Sequence, residues 1–133
     1  MNQEHAARAF RLTSPDFQDN GPLPERSAYD KAGCHGLNTA PTLFWENIPT
    51  GTHSFALLMN DIDAPVSGGF HHWVVYNIPA TARTLEDHAS FEEGTTSMNT
   101  RAYFGPCPLP PVSHITTFLL STLSRSIACK SKD

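Results

Sequence analysis

Prolines and glycines divide this chain into short apolar segments, and that division limits the folds open to it. The 133 residues include 11 prolines and 8 glycines, most of which stand between short apolar runs. Neither residue suits the interior of a long helix, because proline lacks a backbone donor and glycine loses the most conformational freedom. Short apolar runs bounded in this way are typical of strands joined by ordered loops. The sequence therefore predicts a mainly β domain.

Four apolar runs are the predicted strands, and no linker, repeat or low-complexity segment separates them. They cover residues 9–13, 42–45, 54–60 and 72–78, with a turn at 19–22 and a helical turn at 84–90. The run at 54–60 is almost entirely apolar, as expected of a strand that is covered on both faces. We expect a single domain over residues 1–133, because a chain of this size buries about two-thirds of its unfolded surface.

The charge and hydropathy of the chain argue against a nucleic-acid-binding or membrane-spanning role. The formal net charge is −4, with 17% charged and 39% hydrophobic residues, as in an ordinary soluble globular protein. An acidic balance provides no general attraction to nucleic acid. No apolar run approaches the roughly 20 residues that a membrane helix needs, and residues 1–8 lack the apolar segment of a secretory signal.

The cysteine content favours an intracellular protein. Cys34, Cys107 and Cys129 form an odd set without the spacing of a metal site. Such a set favours free thiols in a reducing compartment. We therefore expect a cytoplasmic protein, and we predict neither a metal site nor another cofactor.

Charged and aromatic groups concentrate between the third and fourth predicted strands. Asp61-Ile-Asp63-Ala-Pro65 follows the first of these strands, and His71-His72-Trp73 opens the second after a glycine link. The carboxylates of Asp61 and Asp63 would share a face if the strand continued through them. An isolated Asp-x-Asp is more often a solvated turn. The histidines nearby make a functional site the stronger interpretation.

Only one of the two histidines can join these carboxylates, because consecutive strand residues point to opposite faces. His72 shares its parity with Val74, and His71 shares its parity with Trp73. A histidine in a strand is more often structural than functional. Parity alone leaves the choice between the two histidines open.

A stiff segment near residue 105 is a second candidate for the site. Tyr103-Phe-Gly105-Pro106-Cys107-Pro108 has little backbone freedom, and Gly105 could approach a ligand closely. The competing interpretation is a rigid connecting loop. A nucleophile, either Ser14, Ser54 or Cys107, acting with His72 and Asp61 is disfavoured, because no Gly-x-Ser-x-Gly elbow or other activating context surrounds it.

Taken together, the motifs from Phe10 to Pro108 resemble the phosphatidylethanolamine-binding protein family, specifically its bacterial Raf-kinase-inhibitor-like branch. The motifs that carry the resemblance are Phe10-x-Leu-x-Ser-Pro-x-Phe17, Gly21-Pro-Leu-Pro24, Asn38-x-x-Pro41-x-Leu-x-Trp45, Asp61-Ile-Asp-Ala-Pro65, Phe70-x-His72-Trp-Val-Val-Tyr-Asn77 and Tyr103-x-Gly105-Pro-Cys-Pro108. Several ordered motifs at family spacing are far more specific than any one of them.

The resemblance implies a β-sandwich-like fold built on a large antiparallel sheet, with a small anion pocket at one end. Carried over by motif, the ligand-binding positions would be Asp61, Asp63, Pro65, His72, Gly105 and Pro106, with His114 matching by position. The pocket would receive phosphate or the head group of a phospholipid. A zwitterion such as phosphoethanolamine suits a site that holds both an imidazole and carboxylates. The resemblance implies binding and no catalytic residue.

The resemblance weakens after Pro108. The family continues with a His-x-Tyr-x-Phe strand, whereas this chain has His114-Ile-Thr116-Thr-Phe118. Permitted codons exist for residues 113–124 whose shifted frame encodes the family's own strand. We therefore hypothesise that residues 109–133 are an aberrant, frameshifted tail that leaves the domain incomplete, marginally folded and impaired in binding. In the milder interpretation, residues 118–123 still form the strand from apolar side chains.

Two other functions stay open at this stage. One is an inhibitor of a protein kinase or protease that acts through the pocket rim, as the family's name suggests. The other is a metal-dependent hydrolase using Asp61, Asp63, His72 and His114, since both residue types can bind a metal that activates water. The resemblance also allows a homodimer.

Overall fold

The computed structural model describes residues 9–64, 67–85, 91–107, 114–121 and 126–132. Its strands are β1 (Arg11–Thr13), β2 (Gly21–Pro22), β3 (Leu43–Glu46), β4 (Ser54–Asp61), β5 (Phe70–Pro79), β6 (Thr84–Leu85), β7 (Glu92–Glu93), β8 (His114–Ser121) and β9 (Ser126–Lys132). A short 3-10 helix covers Glu25–Ser27.

Two sheets make up the architecture. The larger has the strand order β2-β9-β8-β4-β5-β7, and the smaller has the order β1-β3-β6. Every pair is antiparallel except β2 with β9, which run parallel. These observations confirm the predicted mainly β fold with a large antiparallel sheet.

The core lies between the two sheets. Phe55, Leu57 and Met59 of β4 alternate with half-buried residues and are each 1% exposed. Trp45 of β3 contacts Phe55 with ring centroids 5.6 Å apart, so it ties the small sheet to the large one. Each such buried side chain contributes about 1.5–3 kcal/mol relative to an exposed one. One face of β4 is therefore fully covered, while the other is covered only in part.

The predicted strands correspond to β1, β3, β4 and β5, each with small differences in its bounds. The predicted helical turn at 84–90 is wrong at its start, because Thr84 and Leu85 form β6 and pair with Phe44 and Leu43. Thr84 is β-branched, and Leu85 is fully buried. Both features favour a strand that packs on the core over an isolated helical turn. Residues 86–90 lie outside the described ranges.

The segment that departs from the family motif occupies the middle of the large sheet. β8 pairs with β4 over Phe55–Asp61 and with β9 on its other side. Ile115 and Leu119 are both 0% exposed, so apolar residues of this segment do fill a core strand. The idea of a shifted reading frame stays a prediction that the nucleotide sequence tests. Residues 109–113 lie outside the described ranges.

The expectation of free thiols is wrong for two of the three cysteines. Cys34 and Cys107 form a disulfide, with their Cα atoms 5.4 Å apart and a separation of 73 positions in the sequence. Sequence spacing gave no sign of this bond because the fold alone brings the two loops together. The cytoplasmic location, which rested on free thiols, stays a prediction without that support.

Breaking this disulfide is expected to destabilise the fold. Cross-linking a loop of this length restricts the unfolded chain by about 4 kcal/mol in the chain-entropy description. Cys34→Ser and Cys107→Ser should therefore lower the urea midpoint markedly, whereas Cys129→Ser should leave it nearly unchanged because the bond is retained. Equal midpoints for all three variants in non-reducing buffer would contradict the disulfide.

Thr117 of β8 offers a second test of packing. Its side chain is 1% exposed, and its hydroxyl has no hydrogen-bond partner within the described ranges. Because an unsatisfied buried polar group costs about 1–3 kcal/mol, Thr117→Val should raise the free energy of unfolding by about 1 kcal/mol. The matched control is Thr52→Val, whose hydroxyl bonds Pro49 O at 2.7 Å and Ser121 Oγ at 2.8 Å. That control should be destabilised, and a stabilised control would refute the argument.

Candidate functional site

The candidate site lies where β4 ends and β5 begins. Asp61 is the last residue of β4 and pairs with Phe70 of β5 on one side and Ile115 of β8 on the other. Its position in the middle of the sheet explains why it is only 7% exposed. Gly69 (φ +82°) allows the returning chain to pass close, since a Cβ there would lie 2.7 Å from Asp61 O.

The two aspartates have different surroundings. Asp61 Oδ1 accepts a hydrogen bond from the backbone N–H of Asp63 at 3.0 Å, in an Asx-type turn that fixes the buried carboxylate. Asp63 is exposed, because the strand ends at Asp61 and the chain turns there. The condition for both carboxylates to share a strand face is therefore not met. Asp61 is buried within the site, and Asp63 lies at its surface.

A β-bulge positions His72. Met59 pairs with Trp73 and the next residue, Asn60, pairs with His71, so His72 has no residue opposite it on β4. Bulges of this kind re-aim a side chain and often lie next to functional sites. The bulge interrupts the strict alternation on which the parity argument relied.

Phe104 fixes the orientation of the His72 ring. The backbone N–H of Phe104 donates to His72 O at 2.9 Å, and His72 Nδ1 lies 2.7 Å from Phe104 O. A carbonyl oxygen only accepts, so Nδ1 must carry the proton. In the neutral ring Nε2 is then an acceptor, and it becomes a donor only when the imidazole is protonated.

The surroundings of His72 shift its pKa in opposite directions. Burial lowers the pKa of His72 from 6.5, while the hydrogen bond to Phe104 O and the charge of Asp61 partly raise it again. His71 lowers it further. The charge of Asp61 acts on His72, which agrees with the position that the family motif gives to this histidine; the assignment of His72 to the site stays a prediction.

Two buried polar atoms at this end of the sheet have no hydrogen-bond partner within the described ranges. They are Asn60 Oδ1 and His71 Nδ1, on residues that pair directly across β4 and β5. Buried polar atoms without a hydrogen bond are costly. The backbone of His71 is nevertheless well held, since its N–H donates to Ser97 Oγ at 2.7 Å.

Gly105 and Pro106 are buried, and both are engaged within the protein, while their predicted role in ligand binding stays a prediction. A Cβ at Gly105 would overlap the carbonyl oxygen of Ser27, so glycine is needed for chain packing there. The Gly105 N–H donates to Asn38 Oδ1 at 2.7 Å, and Pro106 O accepts from Tyr29 N at 2.8 Å. The Gly105 N–H is therefore already used within the protein.

The Phe70 ring packs against the imidazole, and two further rings extend this aromatic group. The Phe70 ring lies 4.7 Å from the His72 ring and 6.1 Å from the Phe104 ring, and Tyr29 stacks on Phe104 at 4.2 Å. Sequence analysis did not assign Phe104 or Asn38 to the site. Both residues could have been found from the sequence, because Asn38 begins the Asn-x-x-Pro motif and Phe104 precedes Gly105-Pro106.

Two predicted site residues cannot be placed in the same detail. Pro65 lies outside the described ranges. His114 is the first residue of β8, with its backbone opposite Lys132, but its side chain lies outside what the structure describes. Thr116 pairs with Asn60 and is 3% exposed, so β8 brings a buried hydroxyl-bearing residue to this end of the sheet.

Comparison with known proteins identifies the family to which this fold belongs. The family model for phosphatidylethanolamine-binding protein matches residues 13–131, which extends past the last motif at Pro108. The chain belongs to this family.

Bacterial relatives of the family are similar to this chain. It is 42% identical over 89 residues to the UPF0098 protein YbcL of Escherichia coli, covering 67% of this chain and 49% of the relative. It is 39% identical over 101 residues to YbhB of the same organism, covering 72% of this chain and 63% of the relative. The chain thus spans about half of the length of YbcL and slightly less than two-thirds of the length of YbhB.

Solved structures share the fold. The crystal structure of E. coli YbcL, described as a new member of the mammalian PEBP family, superposes with a TM-score of 0.84 at 23% identity, covering 92% of this chain and 96% of that chain. A putative phosphatidylethanolamine-binding protein homologue from Chlamydia trachomatis gives 0.82 at 20% identity, covering 94% and 97% respectively. At these identities the likeness concerns the fold alone.

The described ranges contain no group of three or more His, Cys, Asp or Glu side chains that could hold a metal ion. In the same part of the chain, every helix falls short of the length and apolar character needed to cross a bilayer.

The lowered pKa of His72 predicts a pH-dependent stability. The unfolded state binds a proton at His72 more readily than the folded state, so stability should fall as pH decreases from about 7 through 6.5 and below. The slope from this one group is at most about 1.4 kcal/mol per pH unit. Urea unfolding between about pH 5 and 7.5 measures it.

The control for this prediction is a second histidine. His72→Gln should flatten the slope, because glutamine stays neutral, whereas His35→Gln removes an exposed histidine and should leave the slope unchanged. Parallel slopes for wild type and His72→Gln would mean that His72 does not titrate as argued.

Proposed function

We propose that this protein binds a small anionic or zwitterionic ligand, such as phosphate or a phosphoethanolamine head group, at the site formed by Asp61 and His72. One observation carries the proposal: a buried carboxylate ends β4 and a buried imidazole lies near the start of the neighbouring strand β5, at the same end of the large sheet. Both groups are desolvated, and charges act more strongly where water is excluded. Membership of the phosphatidylethanolamine-binding protein family supports the same ligand class.

The two groups suit the two ends of a zwitterion. His72 Nε2 can accept a proton from a ligand P–OH, or donate to a phosphate oxygen once the ring is protonated, while Nδ1 stays on Phe104 O. Asp61 favours the protonated ring and can attract an ammonium group. The Phe70 ring packs against the imidazole.

Binding rather than turnover is the function that we propose. The serines and the cysteine considered as nucleophiles are engaged elsewhere or remote from His72: Ser14 Oγ donates to Thr42 O at 2.6 Å, and Cys107 is in the disulfide. A metal-dependent hydrolase gains no specific support from the described ranges. A kinase or protease partner and a homodimer gain none either, and the cytoplasmic location stays part of the proposal.

Calorimetric titration with phosphoethanolamine, inorganic phosphate and ethanolamine at pH 7 tests this function. His72→Gln should weaken phosphoethanolamine and phosphate binding about 10- to 100-fold, because a hydrogen bond to a charged group is worth about 1.5–3 kcal/mol. Asp61→Asn should reduce the ratio of phosphoethanolamine affinity to phosphate affinity, because its carboxylate would attract only the ammonium end.

The matched control is again His35→Gln, which removes an exposed imidazole and should bind as the wild type does. Unchanged affinity in His72→Gln, with the fold retained by circular dichroism, would exclude His72 from the site. An unchanged affinity ratio in Asp61→Asn would restrict the proposal to simple anions.

A further inference from the structure

A cavity lies apart from the Asp61–His72 site. Its volume is about 620 Å³, within the range of small-molecule sites. The described lining consists of Arg26, Asn38, Thr39, Ala40, Pro41, Thr42, Trp73, Leu85, Phe91, Glu93, Ala102 and Tyr103. Neither Asp61 nor His72 belongs to this lining, although Trp73 directly follows His72 in β5.

Three aromatic side chains form walls of this cavity. The Phe91 and Tyr103 rings stand nearly perpendicular to the Trp73 indole, at 86° and 87°, with centroids 6.2 Å and 5.6 Å away. Aromatic faces carry partial negative charge and attract cations within about 6 Å. These edge-to-face contacts hold the three rings in fixed orientations at the cavity wall, where a cation can approach a ring face.

A carboxylate adds net negative charge to the same cavity. Glu93 Oε2 accepts the Trp73 Nε1–H at 2.7 Å, which fixes the carboxylate against the indole. Glu93 forms no ion pair with the residues that the structure describes. Arg101 Nε donates a hydrogen bond to the backbone oxygen of Glu93 at 3.1 Å. The half-buried Glu93 charge is therefore available to a ligand.

The positive charge of Arg26, which lines the cavity, is already paired with a carboxylate. The Arg26 guanidinium forms an ion pair with Asp16 Oδ1, and Asp16 Oδ2 accepts the Thr42 N–H at 2.7 Å. The polar groups of Asn38 and Tyr103 are likewise occupied: Asn38 bonds the backbone of Gly105 and Tyr103, and the Tyr103 hydroxyl donates to Ser27 O at 2.7 Å. The uncompensated charge in the lining is that of Glu93.

We propose that this cavity is a second binding site, which takes a small organic cation with an ammonium group on an apolar body. The ammonium group lies between Glu93 and the aromatic rings, and the apolar body contacts the alanine, proline and leucine of the lining. The proposal is independent of head-group binding at Asp61 and His72.

The two tryptophan indole N–H signals of ¹⁵N-labelled protein provide the test. Trp73 Nε1 bonds Glu93 in the cavity, whereas Trp45 Nε1 bonds Ala82 O in the small sheet and serves as an internal reference. Titration with choline chloride at constant ionic strength should shift the Trp73 signal saturably and leave the Trp45 signal in place. The neutral isostere 3,3-dimethyl-1-butanol should bind at least about tenfold more weakly, as expected for loss of a desolvated cation–π contact.

Three variants test whether choline binds beside Glu93 in this cavity. Glu93→Gln keeps an acceptor for the indole and should weaken choline binding about tenfold or more. Glu92→Gln changes the adjacent exposed carboxylate, which accepts from Asn77 Nδ2, and should leave the affinity unchanged. His72→Gln should also bind choline normally, since it alters the other site.

Several results would overturn the proposal: no saturable shift of the Trp73 signal, equal affinity for choline and its neutral isostere, or equal affinity in Glu93→Gln. If Glu93→Gln unfolds, Phe91→Leu replaces it, because Phe91 is half-buried at the cavity wall. Wild-type affinity in a folded Phe91→Leu protein would count against the proposal in the same way. Loss of choline binding in His72→Gln would assign the ligand to the Asp61–His72 site instead.

Discussion

The two hydrogen bonds between His72 and Phe104 are the contact on which the candidate site depends. The His72 carbonyl accepts from the Phe104 N–H, and the imidazole donates back to the Phe104 carbonyl. This reciprocal pairing attaches the loop at 104–107 to β5 at the bulge. From there, Asn38 holds Gly105, Tyr29 holds Pro106, and the Cys34–Cys107 disulfide anchors the end of the loop. Three loop segments are thereby fixed around one imidazole, as pre-organised binding sites require.

The same contact sets the chemistry of the imidazole. Burial favours the neutral ring, whereas the Phe104 carbonyl and the Asp61 carboxylate favour the protonated ring. A ligand phosphate would add another group that favours the protonated ring. The proposed ligand binding and proton uptake at His72 would therefore be linked by their charges. A histidine held in one tautomer can respond in this way without any change in the backbone.

Much of this arrangement could be predicted from the sequence, and the remainder depends on contacts between distant segments. The apolar run at 54–60 and the aromatic-rich run at 72–78 identified β4 and β5, and their junction placed Asp61 near the histidines. The choice of His72 over His71 depends on a bulge, which an alternating pattern does not reveal. The Cys34–Cys107 bond joins residues 73 positions apart, and only the folded loops bring them together. The helical turn expected at Thr84 failed because pairing with β3 outweighs local preference.

β8 adjoins Asp61 and therefore affects which residues could take part in the proposed head-group binding. The family resemblance places an aromatic tyrosine where this chain has Thr116, a residue that pairs with Asn60 beside Asp61. Threonine carries a hydroxyl but lacks the reach and the ring surface of tyrosine, so this wall of the site contributes less contact to a ligand. The opposite wall is intact, because Phe70, His72 and Phe104 all come from β5 and the loop that it holds. Head-group recognition as proposed must therefore rest mainly on Asp61 and His72. The apolar residues of β8, Ile115 and Leu119, preserve the sheet that keeps those two groups together.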